Sequence, residues 1–282
     1  MPIFQTPQPI AVTVELGAGD VRITATDRAD TVVEVRPTNP DDASDVKAAE
    51  QTRIDYADGK LTVLGPKSPV LDFSKKTRSV DVTIELPRGS RVDSDTGLAD
   101  VRSAGELGDC KIKTSCGHVR LDRTGALRME TGAGHLSVDR IAGRAEVTTG
   151  TGKVQIGELD GSGTVKSSNG NIEIGTVTGE VQVRAANGEI VVEHAVGDRV
   201  EATTSNGAIR VGDVIRGSVV LKTSTGDLEI GIRQGTAALL DLVTGHGRVS
   251  NTLEEVASAG EAADKVEVRA RTSFGDITIS RS

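Results

Sequence analysis

Two histidines, His118 and His135, stand seventeen residues apart, each directly after a glycine, in the strings TSCGHVRL and TGAGHLSV. Asp100 holds the same place one interval earlier in TGLADVRS, and Cys116 lies two residues before His118. If each interval is one turn of a stacked β-coil, Asp100, His118, His135 and Cys116 share one outer edge within about 5–10 Å. Oxygen, nitrogen and sulfur donors at that separation suit zinc. The next residue of the series, however, is Lys153, which repels a cation, and nothing in the spacing orients the rings. Solvated residues on successive coils would read the same, and no metal is assigned.

Carboxylate chemistry fares similarly. A glycan-active site on a coiled scaffold needs clustered Asp, Arg or Lys beside sugar-stacking aromatics. The series after the glycines runs Asp100, His118, His135, Lys153, Asn171, Glu189, Ala208, Asp227, Arg248, Asp276, with alternating signs. Only 1 Tyr, 3 Phe and no Trp occur in 282 residues. The strings GxSxG, GxxxxGK[ST], GxGxxG and HExxH are absent. The sequence therefore assigns no catalytic residue and no cofactor, and the chain is expected not to be an enzyme.

Charge and address narrow the partners. The balance is 33 − 41 = −8, which gives nucleic acid and anionic lipid no global attraction. Lys111, Lys113, Lys166, Arg184 and Lys222 dot one face but are interrupted by Glu130, Glu146, Glu201, Asp241 and Glu267. The opening MPIFQTPQPIAVTVEL lacks a basic stretch before an apolar run, and no window approaches eighteen uncharged apolar residues. Cys110 and Cys116, six apart, are expected to be reduced thiols, and the expected address is the cytosol.

What must position these residues is a repeat. A small polar turn, a glycine and alternating aliphatics recur at Gly117, Gly134, Gly152, Gly170, Gly188, Gly207, Gly226, Gly247 and Gly275. Their separations are 17, 18, 18, 18, 19, 19, 21 and 28 residues, and Ala99 fills the slot one interval upstream. Aliphatics fall two and four residues after the glycine (Val154/Ile156, Ile172/Ile174, Ile190/Val192) and seven and five before it (Val181/Val183, Val219/Leu221, Leu240/Leu242). Thr or Ser stands three before it almost every time. Period-two alternation in both segments predicts two short strands per repeat, each with one inward face. No such unit buries its apolar face alone, so the coils must stack in parallel. The inward phase differs from that of the hexapeptide solenoid, and no GGxGxD string suggests calcium coils. The glycine and the Asn before it (Asn169, Asn187, Asn206) are expected to turn the corner through positive φ, and the three Asn to form an amide ladder.

The expected fold is all-β, a single-stranded parallel β-helix of about 18–19 residues per coil. Residues 1–90 are expected to be irregular coils with a short capping helix within 39–51 and an exposed loop at 65–78. The strings at 12–23 and 54–63 echo the repeat, and 79–87 alternates as a strand. Residues 91–282 form the regular part, with an insertion at 252–265 whose Thr252…Glu255 spacing suits a helical turn.

The string VDVTIELPRGSRV (80–92), followed by reiterated T-x-x-G-[DHKNE]-[VIL]-x-[VIL], resembles the bacterial putative-adhesin, β-strand-repeat family of unknown function. The resemblance covers essentially the whole chain and implies a right-handed parallel β-helix. It also implies surface exposure, for which the sequence shows no export or anchoring segment, and it brings no catalytic residues.

Two binding candidates remain. Lys67, Val70, Leu71, Phe73, Lys75, Lys76 and Arg78 make a basic and apolar loop suited to a protein partner. Because the chain stops three residues after Ile279, its last coil is expected to be sparsely covered. Arg269, Arg271, Phe274, Ile277 and Ile279 would then mediate self-association. The expected role is a cytosolic scaffold or self-assembly module. The alternatives are an exported adhesin or a glycan-active or metal-dependent enzyme.

Overall fold

The computed structural model describes residues 1–66, 78–253 and 264–282. The chain folds as two compact units, Met1–Asp139 and Arg140–Ser282.

In the second unit, successive coils stack as parallel strands in register. Val154 pairs with Ile172, Ile172 with Ile190 and Ile190 with Ile209, and none of the four is exposed to solvent. The other strand of each coil repeats the arrangement, with Val165 beside Val147 and Val183. An aliphatic column of Val, Ile, Leu and Ala results, with a single-stranded parallel β-helix around it.

Two side-chain rows and one backbone feature explain the repeat pattern. Each coil bends at its marker glycine, where φ lies between +135° and +159° in this unit. A Cβ on Gly188 would sit 2.3 Å from the Gly170 carbonyl oxygen, so both torsion and space demand glycine. Asn187 Nδ2 donates to Asn169 Oδ1, and Asn206 Nδ2 to Asn187 Oδ1, each at 2.9 Å, which forms the expected amide ladder. These asparagines do not have positive φ; the following glycine takes the whole bend.

The Thr row donates inward to the corner carbonyls. Thr223 Oγ1 reaches the Gly207 carbonyl at 3.0 Å and Thr272 Oγ1 the Gly226 carbonyl at 3.1 Å. Thr149 Oγ1 is buried with no partner among the described residues. Thr223→Val is therefore expected to lower stability by about 1 kcal/mol, because it strands a buried acceptor, whereas Thr149→Val is expected to be neutral or stabilising. Urea melts of the two variants compare them directly, and equal losses would refute the assignment.

The first unit contains the same kind of coil. Ala11–Thr26 pairs in parallel with Arg91–Ala104, which continues to Cys110–Cys116 and Val119–Thr124. Its outermost coil, Ala11–Thr26, is closed by further strands. Lys60–Leu64 and Val80–Pro87 pair with it in parallel; Arg53–Ala57 and Asp30–Pro37 then add antiparallel strands. Residues 54–63 are thus a hairpin and not a coil, because Asp58 (φ 51°) and Gly59 (φ 74°) form a two-residue turn with both torsions positive.

The expected helix is α1, Ala43–Gln51, capped by the Asp42 side chain, which accepts from the Ser44 amide at 2.7 Å. The buried Asp45 carboxylate ties α1 to the sheet by accepting from the Asn39 and Ser79 amides. No helix among the described residues is long and apolar enough to cross a membrane.

Candidate functional site

The residues that could do chemistry in the first unit are engaged in holding coils together. Asp100 Oδ1 accepts from the His118 amide at 2.8 Å, and His118 Nδ1 accepts from the His135 amide at 3.1 Å. The two rings stack 5.1 Å apart at 16°. An Nδ1 that accepts leaves the ring proton on Nε2. The other Asp100 oxygen takes Arg102 at 2.7 Å.

The same clasp recurs in the second unit. Asn171 Oδ1 accepts from the Glu189 amide, Asp227 Oδ1 from that of Asp276, and Asp276 Oδ1 from that of Arg248. At Asp100, His118, Asn171, Asp227 and Asp276 the side chain just past the corner therefore satisfies the amide of the coil stacked on it. Cys116 is exposed and Cys110 buried, and neither is in a disulfide. Burial, with the Asp109 charge adding to it, pushes the Cys110 thiol up to about 12. Among the described residues no three His, Cys, Asp or Glu side chains converge as metal ligands.

The partner-loop residues Lys67, Val70, Leu71, Phe73, Lys75 and Lys76 lie outside the described residues. Arg78, the remaining member, has φ 47° and precedes Ser79, whose amide bonds Asp45.

The proposed self-association residues sit elsewhere than chain order suggests. Lys265–Phe274 pairs with Gly217–Thr225 on one side and with Ala237–His246 on the other. Ile277–Arg281 likewise lies between Leu228–Ile232 and Val249–Asn251. The C-terminal coil is thus inserted beneath the coil that precedes it in sequence. Ile277 and Ile279 are fully buried; Arg271 pairs with Asp241 at 3.3 Å, and Arg269 with Glu267. Phe274 is exposed, with its ring stacked on His246 at 4.7 Å.

Among the described residues the uncovered coil is consequently 237–251. Its strands pair on one side only among the described residues. Leu239 is 70% exposed, Val243 50% and Val249 46%. Register places Leu239 in line with Glu267 and Ser218, and Val243 in line with Arg271 and Lys222. Interior coils are polar at these two outward positions; the end coil is apolar there while Leu240 and Leu242 still point along the core. A strand apolar on both faces is the signature of one covered on both faces. The alternation rule selects only inward aliphatics, so Leu239 and Val243 escaped notice although the run ALLDLV displays them.

A comparison of the whole sequence with family profiles matches Toastrack DUF4097 over residues 9–280. The chain belongs to the Toastrack DUF4097 family. Solved structures similar to this Toastrack chain include putative adhesins from Parabacteroides distasonis (14% identity, 100% of this chain and 95% of that one, TM-score 0.38) and Parabacteroides merdae (15%, 100% and 95%, 0.36). A putative cell adhesion protein from Clostridium sporogenes is 12% identical over 100% of this chain and 98% of that one, with TM-score 0.23. No curated protein matches the sequence.

In this Toastrack chain a polar cluster fastens the inserted coil. Asp213 receives Arg233 and the Ser282 hydroxyl, the latter at 2.9 Å, and His194 Nδ1 lies 3.6 Å away. His194, which reads in the sequence as an isolated bend residue, therefore has a carboxylate neighbour. Burial alone would raise the Asp213 carboxyl, but these donors outweigh it and hold it below the usual carboxylate range. Arg281 Nη1 donates to the Arg233 and Thr236 carbonyls at 2.9 and 3.0 Å. The C-terminal residues are thereby bolted to the turn that leads into the end coil.

A surface recess of about 400 Å³ lies over the strands from 144 to 201. Its charged lining includes Arg144, Glu180, Arg199 and Glu201, and Arg199 and Glu201 pair at 3.2 Å.

Proposed function

We propose that this Toastrack β-solenoid is a non-enzymatic, cytosolic scaffold that works through protein contact at its end coil, 237–251. The observation that carries this is the two-faced apolar strand Ala237–His246, ten residues long with one unpaired edge among the described residues. An exposed, long, apolar edge is a pairing template that proteins in solution normally blunt or cover. The engagement of Asp100, His118 and their equivalents in coil-to-coil bonds supports a non-catalytic role.

The test is native lysate of cells that make the protein, fractionated by size. The wild-type chain is expected in assemblies larger than one chain, and Leu239→Lys with Val243→Lys is expected to shift it to single-chain mass. Wild-type elution as a single chain would refute the reading.

The second reading, an exported adhesin, is favoured by membership of a family resembling the adhesin-type repeats. Cell fractionation separates the two, since protein confined to the cytosol excludes adhesion.

A further inference from the structure

The end coil has a definite occupant by its own chemistry. The outermost coil of the first unit is closed by five added strands, three of them antiparallel, and its outer edges are short. Arg53–Ala57 is five residues carrying Arg53 and Asp55, and Ile3–Gln5 is three residues. Among the described residues, the second unit offers no such closure over 237–251. Among the described residues each chain therefore presents one long apolar edge, and a surface that occurs once per chain and pairs with itself closes as a dimer, not as a filament.

The sequence of that edge is self-complementary. Leu239-Leu240-Asp241-Leu242-Val243 is symmetric in character about Asp241. In an antiparallel pair centred there, Leu239 faces Val243 of the other copy on the outer side, and Leu240 faces Leu242 on the core side. The two Asp241 carboxylates meet at the axis, where like charges would repel. Arg271 lies 3.3 Å from Asp241 in each copy, so two acids and two arginines alternate there. We propose that the end coil is covered by a second copy of this chain, the two Ala237–His246 strands pairing antiparallel about a two-fold axis through Asp241. This rests on the interaction reading above and names its partner.

The experiment uses purified full-length protein. Sedimentation over a wide dilution series is expected to give twice the chain mass. Leu239→Lys with Val243→Lys is expected to weaken association about 100-fold or more, because it replaces central apolar anchors, with circular dichroism unchanged and melting lowered to the concentration-independent value of the single chain. In a Cys116→Ser background, Asp241→Cys is expected to form an intermolecular disulfide on mild oxidation, since facing residues of an antiparallel pair lie about 5 Å apart at Cα. Ser218→Cys is expected not to. If the double variant fails to fold, the disulfide decides the matter alone.

A strictly monomeric wild type, an open-ended ladder of masses, or a dimer that neither loses mass in the double variant nor cross-links at position 241 would each overturn the proposal. A purified monomer that still runs in large assemblies in native lysate would remove the dimer and leave the interaction reading standing.

Discussion

Gly188→Ala is expected to destabilise the second unit by about 3 kcal/mol or more, an effect out of proportion to one added methyl group. Its φ of +135° belongs to a region that side-chain-bearing residues scarcely occupy. The new Cβ would stand 2.3 Å from the Gly170 carbonyl oxygen and 2.7 Å from its carbon, and these are backbone atoms that cannot swing aside. Moving them means parting the coils, which breaks the amide ladder at Asn169 and Asn187 and strips register from Ile172 and Ile190. Gly59→Ala is the control. It also has positive φ, 74°, but nothing lies within 4 Å of the added methyl, so only torsional strain of about 1 kcal/mol is incurred. Because stacked repeats melt through nearest-neighbour terms, hydrogen exchange is the suitable readout alongside denaturant melts. Protection is expected to fall over 163–214 for Gly188→Ala. Equal stabilities for the two variants would show that the corner tolerates a side chain, and the account of the repeat would fail.

The corner glycine, the inward Thr, the asparagine ladder and the parallel stacking were all legible because each is one residue type recurring at one phase. Stacking is a local consequence of such periodicity: Val154, Ile172 and Ile190 have no other way to leave water together. Coil order is different. Leu240 and Leu242 satisfy the inward pattern as well as Val268 and Ala270 do, so periodicity is silent on which coil lies outside. The signals that distinguish them are the long final separations, 21 and 28 residues, and the outward Leu239 and Val243.

The hairpin at 53–64 shows the converse. Its alternation mimics a coil, and only the Asp58-Gly59 pair betrays the reversal. As for chemistry, one residue per coil at a fixed phase reads alike whether it faces a ligand or the next coil's amide. The acceptor role of Asp100 and His118 therefore had to come from geometry.

The inverted order leads to the second large effect. Ile277→Lys is expected to release residues 237–282 while the coils from 145 to 214 remain protected. Ile277 is completely buried, with Leu228 beside it on one strand and Val249 on the other. Removing its aliphatic bulk costs about 2–5 kcal/mol, and an unpaired ammonium in an aliphatic column adds several more. The expelled coil takes a second one with it, because Ala237–His246 and Val249–Asn251 pair only with the strands of the C-terminal coil among the described residues. The Asp213 cluster cannot rescue it, since Ser282 and Arg281 hold the chain end from exposed positions, where such contacts are worth little. Limited proteolysis with mass spectrometry reads the outcome as cleavage within 237–282 and survival of the fragment before it. If the C-terminal coil were instead the outermost one, Ile277→Lys would free only 264–282 and leave 237–251 resistant. Leu239→Lys, one strand further out, is expected to leave 264–282 as resistant as in the wild type and to admit cleavage at most within the end coil itself, and the contrast between these two lysines locates the end of the solenoid.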